Sequence, residues 1–304
     1  MGKLAFLFSG QGAQYEGMGQ ELAACSPAAR AVFDAADAIR PGTSAECFGA
    51  SKAELSQTRI TQPTVFCTDL AAGKALREKG IEPDFSAGFS LGEIPALAFC
   101  GYLTLDEAFR FVVRRGEIME KCASENPGEM YAVMRLGAKK IEELAALFDG
   151  VFPVNYNSEE QTVVACAIGA GEEFAAAVKD AGGRALKLAV SGAFHSPFMD
   201  AASGELAREF GGLSFSEPRI VCVSNITALP YSGEELLFRQ VNSPVLWQKT
   251  IEYLCAQGVN CFVECGPGKV LTGLVKKTTP EAVTVNVENE ETLNCALEVL
   301  KSVE

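Results

Sequence analysis

The stretch FSAGFSLGEIPALA, residues 85–98, sets Ser90 between Gly88 and Gly92 in a G-x-S-x-G pattern. A short apolar run precedes it and a helical run follows. In that context the serine sits on a tight, strained turn from strand to helix, where a β-carbon at the flanking positions would meet neighbouring backbone. The helix after the turn aims its amide dipoles at the site, and the amide after the serine is placed to hold an oxyanion. Pro95 falls early enough in this helix to be tolerated.

A serine hydroxyl is a poor nucleophile until a base takes its proton. The chain has 304 residues and one histidine, His195. Imidazole, with an unperturbed pKa of about 6.5, is suited to proton transfer near neutrality. If Ser90 has an imidazole partner in this chain, it is His195. That residue lies in VSGAFHSPFMD, just after an expected strand and at the mouth of an expected helix. It marks a loop at the seam of two structural units, where sites tend to form.

The pattern along the chain defines those units. KLAFLFSG (3–10) reads as a buried strand entering the glycine-rich turn GQGAQ. Helical patterns follow around 19–39, 51–57 and 62–79, then DFSAG as a short strand. TLDEAFRFVVRRGEIMEKCA (104–123) is a long helix opened by a Thr104/Glu107 capping box. From 127 the order becomes β-α-β-β-α-β, with strands at 129–136, VFPVNYN, QTVVACAIG and 184–190, the ferredoxin-like signature. Ser196-Pro197 then starts a helix. RIVCVSN (219–225) and CFVECGPG (261–268) are further strands ending in turns. The expectation is an α/β chain with a discontinuous larger domain, residues 1–126 and 193–304, around a parallel sheet. A small ferredoxin-like domain is inserted at 127–192.

Composition narrows the function. A net charge of −13 argues against nonspecific nucleic-acid binding and against a polybasic membrane anchor. The eleven cysteines include no C-x-x-C, and Cys261 and Cys265 have no histidine near them to complete a zinc site. They read as reduced, buried thiols, and no metal is expected. The N-terminus lacks a signal-peptide pattern and no apolar run approaches the roughly 18 residues that span a bilayer, so a cytoplasmic location is expected.

Five ordered blocks together resemble the malonyl-CoA:acyl-carrier-protein transacylase family, the acyltransferases of fatty-acid synthesis. They are FLFSGQGAQYEGMG, AGFSLGEIPAL, VVRRGEIM, VSGAFHSPFM and ECGPGKVLTGLVKK, and the likeness runs nearly end to end. It implies an α/β-hydrolase-like larger domain and transfer of malonyl from malonyl-CoA to the phosphopantetheine thiol of acyl carrier protein. In that scheme Ser90 attacks the thioester with His195 as general base, giving an acyl-serine. The backbone N–H groups of Gln11 and Leu91 form the oxyanion hole. Arg115 receives the malonyl carboxylate through two parallel hydrogen bonds. Its neighbour Arg114, about 100° round the helix, reads as a surface residue. A main-chain carbonyl from NSPVLW, that of Leu246, orients the imidazole in place of a carboxylate, which suits slow hydrolysis of the acyl-enzyme. Phe194 crowds a branched α-carbon and favours malonyl. No resident cofactor is implied, and the family's usual form is a monomer.

The chain departs from the family at Phe89, where histidine usually precedes the nucleophile, and at NSEEQ, where a Pro-Gly turn is usual. Other readings are a serine esterase or lipase, a trans-acting polyketide synthase acyltransferase, and an inactive acyl- or carrier-binding subunit. An acidic carrier would need a local basic patch, for which Lys187, Lys269, Lys276 and Lys277 are candidates.

Overall fold

The computed structural model describes residues 2–190 and 192–303. Ser191 of the histidine motif lies outside them. Among the described residues nine strands form two sheets. They are β1 (Lys3–Phe8), β2 (Phe85–Gly88), β3 (Gly128–Met134), β4 (Val151–Ser158), β5 (Gln161–Ala167), β6 (Arg184–Lys187), β7 (Val221–Val223), β8 (Val259–Cys265) and β9 (Val283–Val287).

The larger sheet has the order β7-β2-β1-β8-β9 and every pairing in it is parallel. β1 explains why. Ala5, Leu7, Phe6 and Phe8 are all fully buried, because the strand is covered on both faces. With side chains alternating, Phe6 and Phe8 enter one apolar cluster while Ala5 and Leu7 enter a second on the opposite face. The first holds the Thr58–Glu78 and Leu105–Glu125 helices; the second holds the Trp247–Ala256 and Val270–Thr278 helices. From β1 the chain builds outward through β2 to β7 and later crosses to β8 and β9 on the other side of β1, so the strand order reverses beside β1. Crevices open at the carboxyl ends of strands at such a point. The loops after β1, β2 and β8 meet there.

The second sheet, built wholly from 128–187, is antiparallel with the order β4-β5-β3-β6. Its helices, Ala138–Ala145 and Ala170–Asp180, cover one face. Tyr131, Val133, Val164 and Cys166 point to those helices; Met130, Ala132, Val163 and Ala165 point into the main core. A short parallel bridge also ties the sheets' bodies together: Tyr156 N–H donates to Val245 O (2.9 Å) and Val245 N–H to Val154 O (2.8 Å).

Several boundaries differ from the sequence reading. The 19–39 pattern is two helices, Gln20–Cys25 and Pro27–Ile39, because Ser26 leaves the helix and caps the second one ahead of Pro27. Ser196 caps only a short turn, Pro197–Met199, before the Asp200–Phe210 helix. β9 was not foreseen; four of its five residues are only partly buried, so VTVNV gives a weak apolar signal. The Thr104/Glu107 capping box is formed as expected.

Candidate active site

β2 ends at Gly88, and the chain reverses into the Glu93–Cys100 helix through Ser90, whose φ is 52°. A β-carbon at Gly88 would lie 2.0 Å from Gly92 C, and one at Gly92 would lie 2.2 Å from Phe8 O. Only glycine permits the elbow to press this closely on itself and on β1. The left-handed serine costs on the order of 1–3 kcal/mol, which surrounding bonds must offset. Asn225, beyond β7, supplies two of them. Its Oδ1 accepts from Ser90 N–H (2.7 Å) and its Nδ2 donates to Gly88 O (2.6 Å).

His195 arrives from the other side, also with a positive φ of 63°, its N–H on Val241 O at 2.9 Å. Ser90 Oγ and His195 Nε2 stand 2.6 Å apart. Nδ1 lies 2.9 Å from the main-chain oxygen of Gln240. A carbonyl only accepts, so Nδ1 carries the proton and Nε2 is the free base facing Oγ–H. The orienting carbonyl is therefore that of Gln240, not Leu246. Leu246 O is engaged in the first turn of the Trp247–Ala256 helix, accepting from Thr250 N–H (2.9 Å) and Oγ1 (3.1 Å). Burial depresses the His195 pKa to about 4, with the charge of Arg115 adding to the depression and the Gln240 carbonyl opposing it. Near neutrality the ring is uncharged and able to accept a proton.

Arg115 projects inward from the middle of the Leu105–Glu125 helix and is fully buried. Nη1 donates to Gln62 Oε1 (2.8 Å) and Nη2 to Gln240 Oε1 (2.6 Å), while Nε has no partner. Neutral amides hold the fork without neutralising it. Burial pulls its pKa down to about 10 and Glu93 pushes it back, so the group stays cationic near neutrality. Arg114 faces outward and grips Glu209 through Nε (2.7 Å) and Nη2 (3.0 Å).

Gln11, Phe89, Ser90, Arg115, Phe194 and His195 share the wall of one cavity of about 100 Å³. Leu91 is fully buried behind Ser90, at the head of the helix. Phe89 packs edge-on against Trp247, ring centroids 5.3 Å apart, and also borders an adjoining cavity of about 270 Å³. That second space runs between the two sheets' bodies. Its wall includes Asn155 and Asn157, whose Oδ1 atoms are buried without partners. Of the four lysines, Lys187 pairs with Glu129 and Lys277 donates to Gln161 (2.8 Å). Lys269 and Lys276 are exposed on or beside the Val270–Thr278 helix. Among the described residues no group of three or more His, Cys, Asp or Glu side chains could hold a metal ion, and no helix is long and apolar enough to cross a membrane.

Sequence reasoning did not single out Gln62, Glu93, Asn225 or Gln240, all essentially buried. Only Glu93 left a trace: a carboxylate opening the otherwise apolar helix EIPALAFC cannot be buried without partners.

The acyl transferase domain family matches residues 5–295. A malonyl CoA-acyl carrier protein transacylase of Bacillus subtilis is 36% identical, over 99% of this chain and 98% of the relative. The crystal structure of a malonyl CoA-acyl carrier protein transacylase from Clostridium perfringens superposes with a TM-score of 0.95 at 34% identity, covering 99% of this chain and 98% of that one. A malonyl-transacylase in complex with a type II polyketide acyl-carrier protein superposes with a TM-score of 0.93 at 34% identity, covering 98% and 99%.

Proposed function

The chain belongs to the acyl transferase family, and from that premise we propose that it moves a malonyl group from malonyl-CoA to the phosphopantetheine thiol of an acyl carrier protein through an acyl-Ser90 intermediate. The observation that carries this is the 2.6 Å Ser90–His195 contact in a pocket that also holds a buried guanidinium with an unpaired Nε. An esterase for simple acyl groups has no use for that cation.

In the acylation step Ser90 Oγ bonds to the thioester carbon as its proton passes to His195 Nε2. The oxygen that gains charge sits against the N–H groups of Gln11 and Leu91. The carbon–sulfur bond then breaks, and the CoA sulfur leaves with the proton that His195 held. The carrier thiol reverses the sequence: its proton goes to Nε2, its sulfur takes the acyl group, and Ser90 recovers its hydrogen. Arg115 holds the acyl carboxylate throughout. Because Arg115's charge helps depress His195, a bound carboxylate restores some of the base's proton affinity. Phe194 borders the acyl group and disfavours a branched α-carbon by about 1–3 kcal/mol. The adjoining cleft, with two unpaired amide oxygens in a largely apolar wall, suits a thioester arm bearing N–H donors. Lys269 and Lys276, free of the partners that engage Lys187 and Lys277, suit an acidic carrier.

The finer fold reading is an α/β-hydrolase-like body with a ferredoxin-like insert at 127–192, supported by the parallel sheet and the β4-β5-β3-β6 order. The scheme calls for no resident cofactor or metal and is set in the cytoplasm. Likeness to a transacylase seen with a polyketide carrier favours, as a second reading, an acceptor from polyketide synthesis. Intact-protein mass spectrometry tests the function. Malonyl-CoA should leave a malonyl adduct that Ser90→Ala lacks, and added holo-carrier of either pathway should discharge it. A wild-type protein that forms no adduct, or one whose adduct only water removes, refutes the proposal.

A further inference from the structure

One residue ties together the serine, the histidine and the arginine of the pocket. Gln240 is fully buried, and its Nε2 donates to Ser90 O (2.6 Å) and to Glu93 Oε2 (2.6 Å). Those two bonds use both amide hydrogens. Its Oε1 is thereby left facing Arg115 Nη2 at 2.6 Å, and its main-chain oxygen holds His195. An amide can sit in either of two flipped orientations. Ser90 O and Glu93 decide between them here, both being acceptors on the same side. Glu93 is itself fully buried and anchored, with Oε1 accepting from Asn225 N–H at 2.6 Å.

We propose that Glu93 is a positioning residue for acyl selection: through the Gln240 amide it sets the direction and the charge of the Arg115 fork that receives the acyl carboxylate. This rests on the malonyl-transfer reading. The interposed amide has a physical purpose. A carboxylate bonded directly to Arg115 would fill the fork that the substrate needs. The amide passes on the counter-charge while occupying one hydrogen of Nη2, leaving the second hydrogens of both Nη atoms for a ligand. Glu93 is surrounded by Arg115, Tyr231, Cys222 and the Gln240 amide. Burial raises its carboxyl to about 7, and Arg115 together with the Asn225 and Gln240 bonds holds it down against a larger rise.

Glu93→Gln tests the idea. The new side chain can still accept from Asn225, but its NH2 then meets the NH2 of Gln240. If Gln240 turns over, a donor faces Arg115. If it does not, two donors collide. The readout is Ser90 acylation by malonyl-CoA and by acetyl-CoA, each resolved into kcat and KM. Malonyl-CoA should show a raised KM and a kcat/KM lower by about 10- to 100-fold, with acetyl-CoA lowered by no more than about threefold. Gln240→Met, which retains the main-chain carbonyl on His195, should lower the malonyl-to-acetyl ratio in the same way and serves if Glu93→Gln does not fold. An unchanged ratio in a folded variant, whether both rates fall or neither does, overturns the proposal. If the wild-type protein shows no malonyl preference, it is the functional reading that fails. If the wild type prefers malonyl and the variants keep that preference, only the role of Glu93 fails.

Discussion

Replacing Arg115 with methionine removes the pocket's cation while keeping an unbranched side chain of comparable reach. Two effects follow and must be separated. The fold loses the donors on Gln62 Oε1 and Gln240 Oε1, two buried acceptors. Each costs on the order of 1–3 kcal/mol when left unpaired. Against this, the variant no longer buries a cation whose Nε lacks a partner. Catalysis loses more. A malonyl carboxylate entering the pocket beside this buried position would have no counter-charge, and breaking a buried pair costs about 3–5 kcal/mol. That is roughly 10²- to 5 × 10³-fold in kcat/KM for malonyl-CoA. Acetyl-CoA brings no carboxylate and should lose far less, so the preference should invert. Quenched single-turnover acylation, read as the Ser90 adduct by intact mass, gives both rates, and a melting curve shows that the variant is folded. A folded variant in which both acyl donors slow equally would refute the assignment of Arg115 to the carboxylate.

Two other perturbations address the nucleophile and its base. With acetyl-CoA, acylation should hold its rate down to about pH 5 and fall through about pH 4, because burial holds His195 at about 4; a midpoint near 6.5 would refute this. The depressed pKa also links to stability. The unfolded chain binds the extra proton between about 4 and 6.5, so the contribution is full above 6.5 and is lost as pH falls through 4, about 3 kcal/mol in all. Glu93, raised to about 7, works in the opposite sense, its contribution being lost as pH rises through 7. Comparing wild type with His195→Gln across that range isolates the histidine. Asn225→Ala removes the bonds to Ser90 N–H and Gly88 O, and should cost about 2–4 kcal/mol by denaturant titration while slowing malonyl and acetyl transfer alike by about tenfold or more. Loss confined to malonyl would show that Asn225 serves the acyl pocket and not the elbow.

The local elements were legible because their causes are local. G-x-S-x-G between a strand and a helix specifies its own elbow: the glycines are demanded by contacts within a few residues and with β1. The strands β3 and β5 and the Thr104/Glu107 cap likewise read directly from the chain. The weakly apolar edge strand β9 did not, because its partner and not its composition makes it a strand. Leu246 and Gln240 show the limit most plainly. Every residue carries a carbonyl, so nothing in the side-chain code marks which one will face an imidazole.

The sequence by itself therefore determined the chemical inventory: one imidazole, one elbow serine, a pair of arginines on one helix, and alternating α/β elements to carry them. Only the tertiary structure decided that His195 meets Ser90, that Arg115 turns inward, and that Gln62, Asn225, Gln240 and Glu93 hold the set in register. Those bonds span between 45 and 150 positions of the chain, His195–Gln240 the shortest and Ser90–Gln240 the longest. They join ordinary amides and carboxylates that become specific only when burial removes water as the alternative partner.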